Sequence, residues 1–311
     1  MKISLIIPVK NEEQSLENLC SSINDQTRQP DETILVDGGS TDKTVAVARR
    51  ITANQPAFRL IETPQASPGK GRNIGVEAAR FDWIAFTDAG ITLEPDWLEK
   101  LAAKAAEDQQ TDVVYGNYAP VINGYFEKIA TLVYVPPQAA DGIRGKSIAS
   151  YLMRKKVWEK VRGFPDARAA EDLMFMETAE KHNFKFAFAP DALIHWQLRP
   201  NLSSTFRKFV LYSKHNVWAG RQWDWHYGVL KQYLALIPVL TIMFFSSWWW
   251  ILFVVLWLIA RTAKRILPHR RQFGWLTLLN PLVFFGAAWL ILTIDAATFI
   301  GWRQALLQKR K

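Results

Sequence analysis

Tyr233–Ala260 runs for 28 residues without a charged side chain. About 20 apolar residues in a helix span the hydrocarbon core of a bilayer, and a chain of this size rarely has a core that would hide such a run. A second apolar stretch, Leu282–Thr293, widens to Phe273–Ile294 if Asn280 and Pro281 are tolerated. Everything before Leu230 reads as soluble protein, so no single globular class covers the chain. The expected partition is an α/β domain over 1–228 and a membrane-associated helical region over 229–311.

Charge supports that partition. The formal net charge is +9, and Arg261, Lys264, Arg265, Arg270, Arg271, Arg303, Lys309, Arg310 and Lys311 all lie between or after the apolar runs. Basic residues beside apolar segments suit anionic lipid headgroups. They form no separate basic domain, so nucleic acid is not an expected partner. Two arrangements of the apolar runs stay open. If both span, the basic loop Arg261–Gln272 lies opposite the N-terminal domain, against the positive-inside tendency. Alternatively Ser246-Ser247-Trp248-Trp249-Trp250 marks an interface, and the first run folds back as a hairpin beside a single span. Trp218, Trp223, Trp225 and Tyr227 fit an interfacial belt or a sugar-stacking surface, and their position just before the first apolar run favours the belt. Asp295 would face a helix partner or end the second span. Cys20 is the only cysteine, which excludes an intramolecular disulfide and gives no sign of an oxidising compartment. Leu5-Ile6-Ile7 is too short for a signal peptide. The expected location is the cell membrane, with the N-terminal domain cytoplasmic.

The first 110 residues alternate short apolar runs with amphipathic stretches. Ile3–Val9, Thr33–Asp37, Phe58–Ile61 and Trp83–Thr87 read as strands. Asn11, with Gln14 three residues on, reads as a capping box for a helix carrying Leu16, Leu19, Cys20 and Ile23. Val45, Ala48 and Ile51 mark a second helix, Ala66–Gly71 leads into a third, and Pro95 opens a fourth. This alternation predicts βαβ units and a mostly parallel sheet. Ligands of such sheets bind beyond the carboxyl ends of the strands. Further on, Val113–Tyr115, Ile148–Met153 and Phe184–Phe188 read as strands and Glu171–His182 as a helix. Residues 117–147 read as loops on the acceptor side.

Five motifs fall on the expected strand ends in a fixed order: Ser4-Leu5-Ile6-Ile7-Pro8-Val9-Lys10-Asn11-Glu12, Val36-Asp37-Gly38-Gly39-Ser40-Thr41-Asp42, Gly69-Lys70-Gly71-Arg72-Asn73-Ile74-Gly75, Thr87-Asp88-Ala89-Gly90 and Glu171-Asp172. Over roughly residues 1–215 the chain resembles the family 2 glycosyltransferases. The resemblance implies an α/β, Rossmann-like GT-A fold of the nucleotide-diphospho-sugar transferases, followed here by C-terminal hydrophobic helices. It implies that Pro8, Val9 and Glu12 line the base and ribose pocket and that Asp37 accepts from a base N–H, as uracil or guanine offers. Lys70, Arg72 and Arg199 would meet the base or the donor phosphates.

Asp88 matches the first carboxylate of the family's Asp-X-Asp motif, but Gly90 stands where the second would be. A divalent cation, Mg2+ or Mn2+, is therefore an open expectation. It would be held by Asp88, with His195 as a further ligand, or else Lys70 and Arg72 would neutralise the diphosphate instead. Asp172 is the expected catalytic base, with Glu171 beside it at a helix start, where the dipole favours an ionised carboxylate. The Gln-X-X-Arg-Trp motif of processive synthases does not follow Asp172, which implies one sugar per encounter.

The expected function is that of an inverting hexosyltransferase in cell-envelope or glycolipid biosynthesis. It would move a sugar from a UDP- or GDP-linked donor to a lipid, lipid-linked or polysaccharide-precursor acceptor at the cytoplasmic membrane face. The alternatives are a catalytically impaired membrane scaffold of the same fold, for which Gly90 leaves room, and a nucleotidyltransferase. A nucleotidyltransferase would carry a Gly-rich basic loop after the first strand, where this chain has Lys10-Asn11-Glu12-Glu13.

Overall fold

A computed structural model describes residues 1–167 and 169–308. Lys309, Arg310 and Lys311, counted above in the basic flank, lie outside the described residues. The chain divides into two compact units: Met1–Val121 with Ala139–Gln197, and Ile122–Gln138 with Leu198–Lys311.

The first unit is built on one eight-stranded sheet. Its strands are β1 (Ile3–Val9), β2 (Glu32–Asp37), β3 (Phe58–Glu62), β4 (Trp83–Phe86), β5 (Ile91–Leu93), β6 (Val113–Val121), β7 (Tyr151–Arg154) and β8 (Phe186–Gln197). The order is β3-β2-β1-β4-β7-β6-β8-β5. β3, β2, β1 and β4 are mutually parallel, whereas β7 is antiparallel to both β4 and β6 and β5 is antiparallel to β8. β6 and β8 are again parallel to each other and run the same way as the first four strands, so only β7 and β5 are reversed and the expectation of a mostly parallel sheet holds.

Side chains alternate across a strand, and β1 uses both faces. Ile3, Leu5, Ile7 and Val9 enter one apolar cluster with Leu16, Leu19, Cys20 and Ile23 of helix α1 (Leu16–Asn24) and Trp97, Leu98 and Leu101 of α4 (Trp97–Ala106). Ile6 enters the other, with Val76 of α3 (Pro68–Ala78) and Phe175 of α7 (Glu171–Glu180). Helix α2 (Thr44–Asn54) buries Ala48 against the first cluster, and α6 (Lys155–Val161) buries Val157 in the second. Burial pushes the Cys20 thiol up to about 12, as suits an inert core cysteine.

Three local readings change. Asn11 does not cap α1. It takes φ +58°, and its Oδ1 accepts from Thr41 N–H at 2.8 Å, tying the loop after β1 to the loop after β2. The helix begins only at Leu16. Residues 117–147 are not all loop: β6 runs on to Val121 and helix α5 occupies Tyr125–Tyr134. β8 continues past Phe188 to Gln197, beside β6.

The second unit is helical. Besides α5 it holds α8 (Leu202–Trp218), α9 (Gln222–Phe245), α10 (Ile251–Ile266), α11 (Arg270–Leu278) and α12 (Pro281–Leu307). Asn201 Oδ1 caps α8 by accepting from Ser204 N–H, and Asn280 Oδ1 caps α12 by accepting from Leu282 N–H, each at 2.9 Å. The uncharged run Tyr233–Ala260 is broken near Ser246, so it forms the end of one helix and the start of another. By length and composition alone, α9 and α12 are each long and apolar enough to cross a membrane.

Trp97 anchors the first unit. It is fully buried, and its Nε1–H donates to Ser150 Oγ at 2.8 Å. Trp97→Ala should cost about 3–5 kcal/mol through cavity and lost contacts, read as a lower denaturant midpoint with an unchanged slope.

Candidate functional site

The carboxyl ends of β1, β2 and β4 carry the motif residues. At the end of β1, Pro8 is half-buried, Val9 buried and Glu12 half-buried. The Glu12 backbone N–H donates to Thr44 Oγ1 at 2.7 Å, and its carboxylate takes the Ser15 hydroxyl. Lys10 Nζ donates to Gly38 O at 2.8 Å. At the end of β2, Asp37 is 2% exposed. One of its oxygens accepts from Gly39 N–H at 2.9 Å and from Ser40 N–H at 3.1 Å, and the other accepts the Ser40 hydroxyl. Asp37 thus closes the turn that follows it, with both oxygens engaged.

Helix α3 starts at Ser67, whose hydroxyl accepts from Lys70 N–H at 3.2 Å. The Lys70 side chain is exposed, but Arg72, two residues on, is 3% exposed. Its Nη2 lies 2.6 Å from Asp88 Oδ1 and its Nη1 2.9 Å from Glu171 Oε1. The guanidinium also lies 5.5 Å from the Phe164 ring centre, and Phe164 stacks on Phe175 at 3.9 Å. Gly69 permits this approach, because a Cβ there would sit 2.2 Å from Pro165 O and 3.2 Å from Glu171 Cβ. Asn73, which the motif contained without a role, stitches the same seam. Its Nδ2 donates to Phe164 O, and its Oδ1 accepts from Trp158 Nε1–H and Phe164 N–H, each at 2.8 Å.

The result is one buried cation among carboxylates. Burial disfavours the charge on Arg72, but Asp88, Glu171 and Asp172 outweigh it and hold the guanidinium above its usual value. Glu171 is pushed up from the ordinary carboxylate range, first by burial and then by Asp172, with Arg72 opposing both. Asp172 is half-buried, and its Oδ1 accepts from Leu173 N–H at 2.8 Å in the first turn of α7. With all three carboxylates ionised, the cluster carries three negative charges against one positive, a surplus of two.

His195 on β8 pairs with Thr92 on β5, and its Nε2 is 2.5 Å from Glu94 Oε1. Arg199 belongs to the second unit. There it is exposed, and its charge joins burial in pushing the Lys208 ammonium down to about 8. Gly90 takes φ +79°, a left-handed conformation that disfavours a side chain. Its Cβ position is otherwise open, with only Glu12 Oε2 near, at 3.8 Å. Among the described residues no three His, Cys, Asp or Glu side chains form a group able to hold a metal ion. Such a site does not form a cage made of protein alone. It does fit the mode in which one or two carboxylates share an ion with substrate phosphates.

Comparison with known proteins agrees with this geometry. The Glycosyl transferase family 2 profile matches residues 4–165, just over half of the chain, and the chain belongs to that family. It is 35% identical to the uncharacterized glycosyltransferase YibD of Escherichia coli over 107 residues, 34% of this chain and 31% of that one. The chain spans about a third to a half of the length of several curated relatives it matches. Among solved structures, the mannosyltransferase PcManGT from Pyrobaculum calidifontis, in complex with GDP-Man and Mn2+, aligns with a TM-score of 0.60 at 18% identity, over 99% of this chain and 88% of that one. TarS 1–349 of S. aureus, in complex with UDP, aligns with a TM-score of 0.52 at 19% identity, over 98% and 92%. At such identities the likeness is one of fold, and the fold is GT-A.

Removing Arg72 should leave Glu171 buried without its partner. Arg72→Met is expected to cost about 3–5 kcal/mol near neutral pH. Glu171 is already pushed up, so acidification protonates it and relieves the unpaired charge. The gap to wild type should therefore narrow as pH falls into and below the raised range. Thermal melting of both proteins across pH checks the sign.

Proposed function

We propose that this chain is an inverting glycosyltransferase. It moves a hexosyl unit from a UDP- or GDP-linked donor to a hydroxyl of a lipid, lipid-linked or polysaccharide-precursor acceptor at the cytoplasmic face of a membrane. The observation that carries this reading is the carboxylate knot, Asp88 and Glu171 joined through Arg72 with Asp172 beside them, in a family 2 chain. Residues 1–228 would do the chemistry and 229–311 would hold it at the membrane.

Asp172 removes the proton from the acceptor hydroxyl. The acceptor oxygen attacks the anomeric carbon, the bond to the diphosphate breaks, and the nucleoside diphosphate leaves with the bonding electrons. No covalent sugar–enzyme intermediate is needed. Asp172 suits the role better than Glu171, because it is more exposed and makes no direct ion pair with Arg72. Arg72 is a positioning residue: with two carboxylates already on it, it holds Asp88 and Glu171 in place. Pro8, Val9 and Glu12 line the nucleoside pocket, and Asp37 shapes that pocket by fixing the turn after β2. Lys70 is an exposed cation for the donor phosphates, and the family resemblance assigns Arg199 to them as well.

The surplus negative charge at the knot disfavours a bare diphosphate. A divalent cation, Mg2+ or Mn2+, would be held by Asp88 together with the donor phosphates, and when bound it would neutralise the leaving group. His195 would join it only by giving up Glu94. The GDP-Man and Mn2+ in PcManGT support a metal-assisted donor complex. The left-handed Gly90 favours a second reading, a chain that binds donor and does not turn it over.

Asp172→Asn should lower kcat about 10²–10⁴-fold while donor binding by calorimetry persists. Unchanged turnover would refute the base assignment. A panel of UDP- and GDP-hexoses, assayed with and without chelator, should show loss of activity in chelator and recovery with Mg2+ or Mn2+. Donor binding without turnover under every condition would favour the second reading. Gly90→Asp restores a carboxylate at an open position and should lower the metal concentration needed for half-maximal donor binding.

A further inference from the structure

The helical unit treats its two long apolar helices differently. In α12 one face is covered by protein, while Leu282, Phe285, Trp289 and Leu306 are exposed on the rest. Near its N-terminus the Tyr125 hydroxyl of α5 donates to Leu282 O, and Gly286 lies against Ile129. Toward its C-terminus α8 takes over: Ser213 Oγ donates to Thr298 O at 2.6 Å and Trp218 Nε1–H to Ala305 O at 3.3 Å. A Cβ on Gly301 would sit 2.4 Å from Val210 O, so the two helices are in backbone contact. α8 carries Arg207, Lys208 and Lys214 within Leu202–Trp218, which is too much charge for a helix surrounded by lipid. A helix in backbone contact with α8 has that face inside its own unit.

The α9–α10 hairpin is the opposite case. None of residues 234–260 is buried. Phe244 is 82% exposed and Phe245 81%, and Trp248, Trp249, Phe253 and Leu256 are also exposed around the turn. Such an apolar surface is unstable in water. Its base is closed by a polar knot across three helices. The Arg261 guanidinium grips both oxygens of Asp295, Tyr233 OH donates to Asp295 Oδ2 at 2.8 Å, and Arg261 lies 5.3 Å from the Trp257 ring centre. Just below this level the exposed charges are all basic: Lys231 on α9 and Lys264 and Arg265 on α10, followed by Arg270 and Arg271.

Length decides how deep such a hairpin reaches. From Leu234 to Phe245 the first arm rises about 18 Å at 1.5 Å per residue. The hydrocarbon core is about 30 Å thick. The arm is too short to cross and long enough to fill one leaflet.

We propose that the α9–α10 hairpin is a plug in a single leaflet of an anionic membrane. Residues 234–260 occupy the acyl region to about its midplane, and the basic collar sits among anionic headgroups. Neither α9 nor α12 crosses. This rests on the membrane reading above and sharpens it: both ends of the hairpin and both ends of α12 stay on one face of the bilayer. The arrangement removes the conflict over the basic loop, because Arg261–Gln272 never leaves the side on which the chain binds.

The experiment binds the full chain to sealed phosphatidylcholine–phosphatidylglycerol vesicles from outside. Cys20 is buried and unreactive, so it can stay while single cysteines are added. A fluorophore on Ser247→Cys should be quenched by lipids brominated at mid-chain, and by iodide neither outside nor trapped inside the vesicle. Gln272→Cys and Gln308→Cys, which flank α12, should both react with an impermeant maleimide added outside. Binding should weaken at least about tenfold in Phe244→Glu/Phe245→Glu, with the melting temperature in solution unchanged, and should fall when phosphatidylglycerol is omitted. Quenching of the Ser247 probe by trapped iodide, or protection of one of the two flanking cysteines, would overturn the plug while leaving the membrane reading intact. Failure to bind vesicles at all, with the tip buried in a lipid-free oligomer, would overturn both.

Discussion

Arg72 is 3% exposed, and both of its terminal nitrogens are spent on carboxylates that come from elsewhere in the chain. Asp88 follows β4, Glu171 opens α7, and the arginine itself sits in the first turns of α3. Those three elements would repel one another at this point without a shared cation, because burial raises the cost of each unpaired charge. The glycines of the α3 motif serve the same end. Gly69 lets the segment before α7 close in, and Gly71 lets Pro8 lie 3.2 Å from where a Cβ would stand. Toward the carboxylates the motif acts indirectly: its glycines and Arg72 pack this seam and fix Asp88 and Glu171 in place, while the Lys70 side chain stays exposed.

That indirect role also marks the limit of reading the sequence. The first half of the sheet was legible because β1, β2 and β4 are short continuous apolar runs buried on both faces, and the intervening helices carry clean apolar stripes. The motif positions were legible because they fall at the ends of those runs. The partners were not. Arg72 and Glu171 are 99 residues apart in sequence, and no local pattern says that an arginine at a helix start faces inward. The same holds for Asn11, which has the chemistry of a helix cap but takes a left-handed backbone and bonds to Thr41, 30 residues away. β5 has three residues, too few to show a period. β8 was cut short because Pro190 and Asp191 interrupt its alternation, although β6 alongside supplies the pairing that carries the strand through.

Hydropathy misleads in a related way at the C-terminus. One face of α12 is apolar because it lies against α5 and α8, whereas the α9–α10 hairpin buries no residue of its apolar run. The two look alike on a hydropathy scale, since a residue's preference for leaving water does not say whether protein or lipid receives it. The difference lies in neighbours: Gly286 and Gly301 bring α12 against α5 and α8, while the hairpin has no buried residue from 234 to 260. Asp295 shows the same ambiguity. An acidic residue within an apolar helix either faces a helix partner or ends a span, and the structure selects the first: Asp295 receives Arg261 of α10 and Tyr233 of α9 and closes the base of the hairpin.

Gly90 links these themes to the chemistry. The position departs from the family's carboxylate, and its left-handed backbone shows that the loop is shaped around a glycine. With Arg72 held inside the carboxylate cluster, this loop brings no compensating cation, so the site offers a diphosphate less positive charge than the motif suggested. The missing charge has to arrive with the donor or from exposed side chains. A bound divalent ion needs few protein ligands when phosphates supply the rest, and in the proposed donor complex Asp88 would be the protein's ligand. Losing the second carboxylate would weaken resident binding of the ion while leaving its delivery with the nucleotide intact.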